Sequence, residues 1–450
     1  MRFSELDGAS VGVWGAGREI ASFADQLARR LPSARIAVAA FDAPPGDGVR
    51  EALGAPGARV VARDGDGAEV LVAALSSCDV VVRSPGVSIH RPELESVLAV
   101  GTPVTTATSL WLAEHGPTGV LGVTGTKGKS TTAALAFHLA RAAGLTAQLA
   151  GNIGVPALEL LDRDAAEVTV LELSSYHTAD LEIGPEVALV TNLYREHTDW
   201  HGSEQAYRAD KLRLLGLPGV RVAVLSARDE GLAQAAAELE TLRFGSPSGW
   251  DATAAGIALR GELQATSEEL PLRGEHNVLN LCAALTALEA LGVEPAPLPG
   301  ALDGFRALPH RLETVAEGDR VEWVNDSIST TPESAIAALA SFPGRELVLI
   351  AGGQDRGQDY SRLADALAAA AASVIGVPTT GPRLLAAARS AGVASSRAIE
   401  APDLAAAVEL ARGLAAEGSV VLLSPAAPSY DHYSNFEERG ERFSELARSR

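Results

Sequence analysis

The residues with the clearest chemical meaning lie between an apolar segment and a helical one. The run Gly122-Val123-Thr124-Gly125-Thr126-Lys127-Gly128-Lys129-Ser130-Thr131 follows a strand predicted over 119–124 and enters a helix predicted to end near Gly144. Its inner glycines let backbone N–H groups converge on phosphate oxygens, Lys129 supplies a point charge, and Ser130 can ligand Mg²⁺. This pattern predicts a phosphate-binding loop and disfavours a surface turn that binds nothing.

A carboxylate stands near the end of an apolar segment downstream of this loop. Glu172 lies in the run from Val168 to Ser175, and the next predicted strand, 187–192, leads to His197. Ligands of open parallel sheets bind at the carboxyl ends of the strands, so Glu172 faces the phosphates if its strand neighbours the loop strand. Glu172 and His197 could hold a second magnesium ion, but histidine is not a preferred ligand of that ion, and a helix-capping role explains His197 equally well.

The first hundred residues predict a small parallel-sheet domain. A strand enters the turn Gly15-Ala16-Gly17, a helix is predicted over 20–31, and further strands are predicted over 35–41 and 79–82. The third glycine of a dinucleotide fingerprint is replaced by Ile20, which argues against a nicotinamide-dependent oxidoreductase. Such a turn often has no ligand, although a phosphate at the following helix N-terminus would be physically ordinary.

Two breaks in the pattern divide the rest of the chain. A linker is predicted around 114–117, and prolines at 295, 297 and 299 mark a second boundary. Beyond it, strands predicted over 346–350, 373–377 and 419–424 alternate with Ala-rich helices. The sequence therefore predicts an α/β protein of three domains, each built on a mainly parallel sheet, over residues 1–112, 113–306 and 307–450.

Composition limits the classes of function. The chain is 47% hydrophobic but only 4% aromatic, which is typical of aliphatic parallel sheets. Its formal net charge of −20 argues against nucleic acid as the main partner. Cys78 and Cys282 lack metal-site spacing and are expected to be buried thiols. The first ten residues lack the apolar stretch of a signal peptide or a spanning helix, so a cytoplasmic protein without membrane insertion is expected.

A resemblance to the Mur ligase family extends over nearly the whole chain. The loop has the Gly-Thr-x-Gly-Lys-Ser/Thr form found in Mur ligases and folylpolyglutamate synthases, and eight further segments follow the order seen in the Mur ligases that add glutamate. These segments are Gly151–Gly154, Glu172–Ser175, the region of His197, Tyr207–Lys211, Arg273–Asn277, Leu308–Arg311, Asn325–Ser327 and Ser424–Gly440. The extra Gly-rich unit ahead of the loop favours a UDP-sugar substrate over a folate.

The resemblance implies a reaction in peptidoglycan synthesis. In that family ATP phosphorylates the carboxylate of UDP-N-acetylmuramoyl-L-alanine, and the amine of glutamate attacks the acyl phosphate after domain closure. Lys129, His197 and Lys211 then match catalytic positions, with two Mg²⁺ ions held by Ser130, Glu172, His197 and Lys211. Lys211 matches a lysine that the family carbamoylates, although an unmodified surface lysine is the simpler alternative.

The resemblance also assigns residues to the two nucleotides. The residues implied to contact ATP are Gly125, Thr126, Lys127, Gly128, Lys129, Ser130, Thr131, His276, Asn277, Asn280, Arg311 and Asp326. The residues implied to contact the UDP substrate are Gly15, Ala16, Gly17, Arg18, Asp42, Ser84, Pro85, Gly86, Asn152 and Ser174.

The entrance to the third domain departs from the pattern of ligases that use D-glutamate. Those ligases usually read Asn-Asp-Ser-Lys-Ala-Thr-Asn, whereas residues 325–332 read Asn-Asp-Ser-Ile-Ser-Thr-Thr-Pro and Arg356 replaces another lysine. This version resembles a subgroup that adds L-glutamate and leaves inversion of the product to a separate epimerase. The implied glutamate contacts are Thr330, Arg356, Ser429, Tyr430 and Phe436. Two alternatives remain. The enzyme could use D-glutamate in a repacked pocket, or the loop could contact no ligand and its sequence could have changed by neutral drift.

A different class of protein also remains open from the sequence. A regulatory or motor protein with a phosphate loop would hydrolyse ATP without either ligation substrate. Turnover that appears only when UDP-N-acetylmuramoyl-L-alanine and glutamate are both supplied distinguishes the ligase.

Overall fold

The computed structural model describes residues 1–43, 57–194, 198–232, 235–236, 238–306, 308–318 and 320–449. The chain divides into two compact units. The first comprises Met1–Thr266 with Leu279–Asp303, and the second comprises Ser267–Val278 with Gly304–Arg450. The predicted limits of three domains, at 112 and 306, remain predictions.

The first sheet has five parallel strands in the order β3-β2-β1-β4-β5. They are β1 (Ser10–Trp14), β2 (Arg35–Phe41), β3 (Arg59–Ala62), β4 (Val80–Arg83) and β5 (Val104–Thr105). The helices of this region are α1 (Arg18–Arg30), α2 (Arg63–Asp66), α3 (Ala68–Leu75), α4 (Pro92–Ala99) and α5 (Ala107–His115). The three predicted strands are present, and the two that the sequence did not indicate are short.

The second sheet has six parallel strands in the order β11-β10-β9-β6-β8-β7. They are β6 (Val120–Thr124), β7 (Ala147–Gly151), β8 (Val168–Glu172), β9 (Val187–Val190), β10 (Val222–Ser226) and β11 (Glu240–Phe244). The following helices are α6 (Lys129–Ala142), α7 (Ser175–Thr178), α8 (Thr198–His201), α9 (Glu204–Leu212) and α10 (Glu275–Ala290). Strands β6, β8 and β10 are buried along their whole length, which explains why their sequences are apolar without alternation.

A small antiparallel sheet follows the second sheet and was not predicted. It consists of β12 (Trp250–Thr253), β13 (Gly256–Leu259) and β14 (Glu262–Thr266). These strands are short and partly exposed, so they lack the long apolar runs that indicated the parallel strands.

The third sheet has six strands in the order β15-β16-β20-β17-β18-β19, with only β15 antiparallel to its neighbour. They are β15 (Glu313–Gly318), β16 (Val321–Asn325), β17 (Leu347–Ala351), β18 (Ser373–Gly376), β19 (Ala398–Glu400) and β20 (Val420–Leu423). Its helices are α11 (Pro332–Ala340), α12 (Ser361–Ala369), α13 (Gly381–Ser390), α14 (Leu404–Leu414) and α15 (Phe436–Arg448).

Strand order places the predicted carboxylate beside the phosphate loop. Strand β6 lies between β8 and β9, and Glu172 of β8 pairs with Val123 of β6 and with Gly151 of β7. The condition under which Glu172 would face the loop is therefore met. Within the described part of the chain, no helix combines the length and apolar character needed to cross a membrane.

Candidate active site

Two glycines of the phosphate loop occupy positions where a side chain would not fit. Gly125 has φ of +136°, and an added Cβ would lie 1.9 Å from Thr191 Oγ1. Gly128 has φ of +84°, and its Cβ would lie 2.3 Å from Asn280 Oδ1. These backbone conformations favour glycine, and they let the chain turn directly into α6. Asn280, implied to contact ATP, thus lies against the loop.

Strand β9 holds this loop from its carboxyl end. The Lys127 backbone N–H donates to Asn192 Oδ1 at 2.9 Å, and Thr191 Oγ1 donates to the Lys127 carbonyl at 2.7 Å. Lys129 is the first residue of α6, and its Nζ donates to the Thr126 carbonyl at 2.9 Å. Thr131, two residues further along, is half-buried. The loop is therefore preorganised by side chains that the motif itself does not contain.

Lys211 is buried beside the loop, so the alternative of a plain surface lysine is wrong. Its side chain is 2% exposed, and its Nζ donates to the Gly125 carbonyl at 2.7 Å. The ring of Tyr207 lies 5.0 Å from the same nitrogen, and the Tyr207 hydroxyl is 2.8 Å from Thr126 Oγ1. The chain has only three lysines: Lys127 and Lys129 are part of the loop, and Lys211 lies beside it.

The buried carboxylate of Glu172 has the chemistry of a ligand for a hard cation. Its side chain is 0% exposed. Oε1 accepts hydrogen bonds from Ser130 Oγ at 3.0 Å and from Asn152 Nδ2 at 3.3 Å. Oε2 is buried and has no hydrogen-bond partner among the described residues. A buried carboxylate oxygen without a partner is costly, and carboxylate and hydroxyl oxygens are the ligands that Mg²⁺ prefers, so these residues fit that ion.

His197, predicted as a catalytic residue and a metal ligand, lies outside the described residues. Its role remains a prediction from the sequence.

A polar path connects the loop to the turn predicted to hold the UDP substrate. Arg18, just after that turn, donates to the Asn152 carbonyl at 3.0 Å, and the Asn152 amide donates to Glu172. A Cβ on Gly15 would lie 2.6 Å from Ser84 Cβ, so the turn also meets the Ser84-Pro85-Gly86 segment. Ala16, Gly17, Arg18 and Gly86 are exposed, as residues that contact a ligand require. Of the predicted UDP contacts, Gly15 is thus brought against Ser84, and Arg18 against Asn152.

Two arginines that the sequence analysis missed position this segment. Arg83 is fully buried, and it donates to Asp180 Oδ2 at 2.6 Å and to the Pro85 carbonyl at 3.1 Å. Arg91 pairs with Asp42 through a contact of 2.9 Å, and its guanidinium lies 5.6 Å from the Trp14 ring. Arg83 lies at the carboxyl end of an apolar strand, a signal that could have indicated its role.

A buried chain of three side chains joins Ser174 to helix α1. Glu19 Oε1 lies 2.5 Å from His177 Nε2, and Ser174 Oγ lies 2.6 Å from His177 Nδ1. The Ser174 backbone N–H also donates to Nδ1 at 3.2 Å, so Nδ1 accepts and the ring proton lies on Nε2, facing Glu19. Burial alone would raise the pKa of Glu19, but His177, Thr108 and Arg83 outweigh it and hold the pKa below 4.5. Ser174, a predicted substrate contact, is therefore oriented by a carboxylate 155 positions away.

We expect Glu19→Gln to destabilise the first unit by about 1–3 kcal/mol near pH 7, because it removes the charge from a buried hydrogen bond. A carboxyl with a depressed pKa stabilises the fold above its unfolded pKa, and this contribution is lost as the pH falls through the folded value. The difference in the free energy of unfolding between wild type and variant should therefore become smaller in acid.

Denaturation followed by tryptophan fluorescence suits the measurement of this difference, since four of the five tryptophans lie in the first unit. Asp25→Asn, in an exposed ion pair on the same helix, is the matched control; an equal loss in both variants would contradict the expectation.

Four residues implied to contact ATP lie in the second unit: His276, Asn277, Arg311 and Asp326. His276 is exposed at the start of α10, and Asn277 Nδ2 donates to the Arg273 carbonyl at 2.8 Å. Asp326 follows β16 and accepts from Ser424 Oγ at 2.8 Å. Burial raises the pKa of the Asp326 carboxyl to about 6.

The predicted glutamate contacts surround the carboxyl ends of strands β16, β17 and β20. Arg356 is exposed, and its guanidinium lies 5.9 Å from the ring of the exposed Tyr430. Ser429 is buried, whereas Thr330 and Phe436 are half-buried. All five belong to the second unit, and the Arg356 guanidinium and the Tyr430 ring lie against one another.

A buried cation missed by the sequence analysis supports this edge of the sheet. Arg439 donates to Ser327 Oγ at 3.0 Å, to the Ser327 carbonyl at 2.8 Å and to the Ala427 carbonyl at 3.0 Å. Burial lowers the pKa of its guanidinium to about 10. Arg439 therefore joins the segment after β16 to the segment after β20, which carry Thr330 and Ser429.

Comparison with known families defines the class of this protein. Residues 123–288 match the model of the Mur ligase middle domain, and residues 310–427 match the model of the Mur ligase glutamate ligase domain. The chain belongs to the Mur ligase family, as the sequence motifs predicted.

Similar proteins with curated names are ligases of one kind. A UDP-N-acetylmuramoyl-L-alanine–L-glutamate ligase of Xanthomonas campestris pv. campestris is 42% identical, over 99% of this chain and 97% of that protein. A ligase of the same name from Salinispora tropica is also 42% identical, over 100% of this chain and 99% of that protein. The resemblance to ligases that add L-glutamate therefore has support along the whole chain.

Solved structures show the same fold at low sequence identity. The MurF ligase of Thermotoga maritima in complex with ADP has a TM-score of 0.60 at 17% identity, covering 99% of this chain and 96% of that one. The UDP-N-acetylmuramate-alanine ligase of the same organism has a TM-score of 0.59 at 20% identity, covering 97% and 98%. The prediction of an α/β fold built on three mainly parallel sheets is confirmed.

Proposed function

We propose that this chain is an ATP-dependent ligase that joins L-glutamate to the alanyl carboxylate of UDP-N-acetylmuramoyl-L-alanine in peptidoglycan synthesis. One observation carries the proposal. The Ser130 hydroxyl of a phosphate loop donates to the buried Glu172, which also binds the Asn152 amide on the path to the Gly15 turn. A nucleotide site and a site for a second anionic substrate thus share one carboxylate. The 42% identity to ligases of that name supports the choice of substrates.

The chemistry requires activation of a carboxylate that does not react with an amine by itself. One carboxylate oxygen attacks the γ-phosphorus of ATP, the bond to the β-phosphate oxygen breaks, and ADP leaves. The glutamate nitrogen then attacks the acyl carbon, inorganic phosphate leaves, and the nitrogen loses a proton. The first step brings two anions together, so positioning and charge stabilisation supply most of the catalysis.

The residues of the first unit are suited to that first step. Lys129 begins α6, where its ammonium and the N-terminal end of the helix both favour phosphate. The fixed turns at Gly125 and Gly128 aim backbone N–H groups at the same ligand. Asn152 and Arg18 lie on the side of Glu172 that faces the predicted UDP segment, where they would orient the reacting carboxylate.

We further assign the metal ligands of the resemblance to this site. Ser130 and Glu172 would hold one Mg²⁺, and His197 and a carbamoylated Lys211 would hold a second. Bound Mg²⁺ supplies positive charge that reduces the repulsion between triphosphate and carboxylate. Two observations support this assignment: Glu172 Oε2 has no hydrogen-bond partner among the residues that the structure describes, and Lys211 Nζ is buried beside the loop. Carbamoylation requires the ammonium first to lose one proton; the neutral amine then joins CO₂ and loses a second proton, so the buried cation becomes an anion.

The second unit supports the choice of L-glutamate. A dicarboxylic amino acid must be held at both ends while its amine points at the acyl carbon, so inversion at the α-carbon forces one carboxylate to another anchor. Arg356 offers a bidentate guanidinium where D-glutamate ligases have a lysine. Its exposure beside Tyr430 leaves it accessible to the amino acid.

A ligation assay with each enantiomer tests the proposal. Purified enzyme receives ATP, Mg²⁺, UDP-N-acetylmuramoyl-L-alanine and either L- or D-glutamate, and product formation is measured together with ADP release. We expect product with L-glutamate, and ADP release over many turnovers only when both substrates are present. A higher kcat/KM with D-glutamate would overturn the stereochemical choice alone. ATP hydrolysis that ignores both substrates would overturn the ligase assignment.

We expect Arg356→Lys to lower kcat/KM for L-glutamate by about 10-fold, because a point charge replaces a bidentate clamp. The KM for ATP should stay unchanged. Arg383→Lys is the matched control, since the guanidinium of the nearby Arg383 already donates a hydrogen bond to Asp355 Oδ2 at 2.8 Å. If both variants lose the same activity, Arg356 does not contact the amino acid.

The product defines the next reaction class. A ligase that adds L-glutamate leaves a terminal L-residue, so a pathway that needs the D-configuration requires an epimerase that acts on the product. We expect the reaction to take place in the cytoplasm, where ATP is available.

A further inference from the structure

Two histidines and an aspartate converge in the first unit, apart from the residues assigned to the ligase reaction. His90 follows the Ser84-Pro85-Gly86 segment, His201 is the last residue of α8, and Asp210 lies on α9. Asp210 Oδ2 is 3.1 Å from His90 Nε2 and 2.6 Å from His201 Nδ1. One ligand atom from each residue lies within 4.8 Å of the other two. Three side chains from separate segments therefore point to one place.

The buried histidine of this cluster is oriented as metal-binding histidines are. His201 is 2% exposed, and its Nε2 lies 2.9 Å from Ser175 Oγ. Its ring packs against Trp200 at 4.4 Å and against Tyr207 at 5.2 Å between ring centres. A histidine that ligands a metal through one nitrogen usually has its other nitrogen held by a hydrogen bond. Ser175 provides that partner, and the aromatic rings fix the plane of the imidazole.

The cluster has more donors than an ordinary ion pair needs. A single hydrogen bond from His201 would satisfy Asp210 Oδ2, but His90 approaches the same oxygen from a different segment. His90 is itself 41% exposed, so solvent could satisfy its imidazole without Asp210. The carboxylate oxygen and the two imidazole nitrogens are therefore close enough together to bind one cation.

We propose that His90, His201 and Asp210 form a binding site for a transition-metal ion of the Zn²⁺ class. Two imidazole nitrogens and one carboxylate oxygen are preferred ligands of Zn²⁺, whereas Mg²⁺ prefers oxygen atoms alone. Tetrahedral bonds of about 2.0–2.2 Å separate neighbouring ligand atoms by roughly 3.4 Å. The distances from Asp210 Oδ2 to His201 Nδ1 (2.6 Å) and to His90 Nε2 (3.1 Å) therefore need to increase by less than about 1 Å, which requires only small side-chain rotations. Solvent reaches the cluster through the exposed His90, so water completes the coordination.

A metal ion at this site would connect two parts of the first unit. His90 follows β4 of the first sheet, whereas His201 and Asp210 belong to helices that follow β9 of the second. Asp210 immediately precedes Lys211, which contacts the phosphate loop. Trp200 Nε1 donates to the Gly86 carbonyl at 3.2 Å, so the same region already touches the predicted UDP segment. The site would therefore stabilise the segment that carries predicted substrate contacts.

Zinc binding by tag-free enzyme tests the site. The protein is dialysed against Zn²⁺ with Mg²⁺ in large excess, and bound zinc is measured by elemental analysis and titration calorimetry. We expect one bound Zn²⁺ for the wild type and a rise in the Tm of unfolding. We expect His90→Ala and Asp210→Asn to bind it at least about 100-fold more weakly, because each loses one ligand. His432→Ala, which removes a 53%-exposed histidine beside Asp431, should bind as the wild type does.

Two results would overturn the proposal. One is the absence of stoichiometric zinc from the wild type under these conditions. The other is equal zinc affinity in wild type and His90→Ala, which would place the ion elsewhere, for example at Glu172. Because His90 is exposed, its alanine variant should fold, and its Tm without zinc checks this. Co²⁺ gives a second readout, since its visible absorption reports coordination by imidazole and should disappear in the same variant.

Discussion

Lys129→Ala should lower the rate of ligation by on the order of 10³-fold while the enzyme stays folded. Removal of one preorganised group that stabilises transition-state charge typically has an effect of this size. Lys129 is the first residue of α6, and its Nζ is held at the loop by a hydrogen bond to the Thr126 carbonyl. The substitution therefore removes the positive charge that stands at the N-terminal end of this helix. Single-turnover measurement of ADP formation, with both substrates present, reports this step directly.

A cation on the same helix provides the matched control. Arg141 lies exposed in the last turn of α6, and its guanidinium is 5.6 Å from the Phe137 ring. Arg141→Ala removes one positive charge from the same helix and should leave ligation nearly unchanged. Near-normal activity of Lys129→Ala, or an equal loss in both variants, would contradict the assignment of the ATP site.

Lys211→Ala should be at least about 100-fold less active and should regain activity when short carboxylic acids are added. If the site needs the anion of a carbamate, a small carboxylate can occupy the space that the deleted side chain leaves. Lys211→Arg keeps the positive charge but cannot form a stable carbamate, so it should be inactive without rescue. Full activity of Lys211→Ala, or rescue by chloride as effective as rescue by carboxylates, would reject the carbamate.

The composition of the chain permits a direct observation of the modification. Only three lysines are present, and Lys211 is the buried one that contacts the Gly125 carbonyl. Enzyme equilibrated with ¹³C-bicarbonate should give a single carbamate signal in ¹³C NMR, and Lys211→Arg should lose it. Lys127→Arg is the matched control and should keep the signal. Persistence of the signal without Lys211 would assign it to another amine.

Local sequence determined the phosphate loop and the class of fold. The spacing of Gly125, Gly128, Lys129 and Ser130 specifies a backbone turn within a few residues, so it can be recognised without knowledge of the rest of the chain. The apolar runs at 35–41 and 119–124 likewise predicted strands, because a strand buried on both faces must be apolar throughout. Short or half-exposed strands such as β5 and β14 carry no such signal, and they were missed.

The partners of the buried charged groups were decided only by the tertiary structure. Lys211 reaches a carbonyl 86 positions away, and His177 reaches a carboxylate 158 positions away. His90 and Asp210 are 120 positions apart. A loop motif is a property of local backbone geometry, whereas the partner of a buried charge depends on which distant segments pack together. The sequence therefore determined the loop that is predicted to bind phosphate, and the packing of the two parallel sheets of the first unit determined which side chains surround that loop.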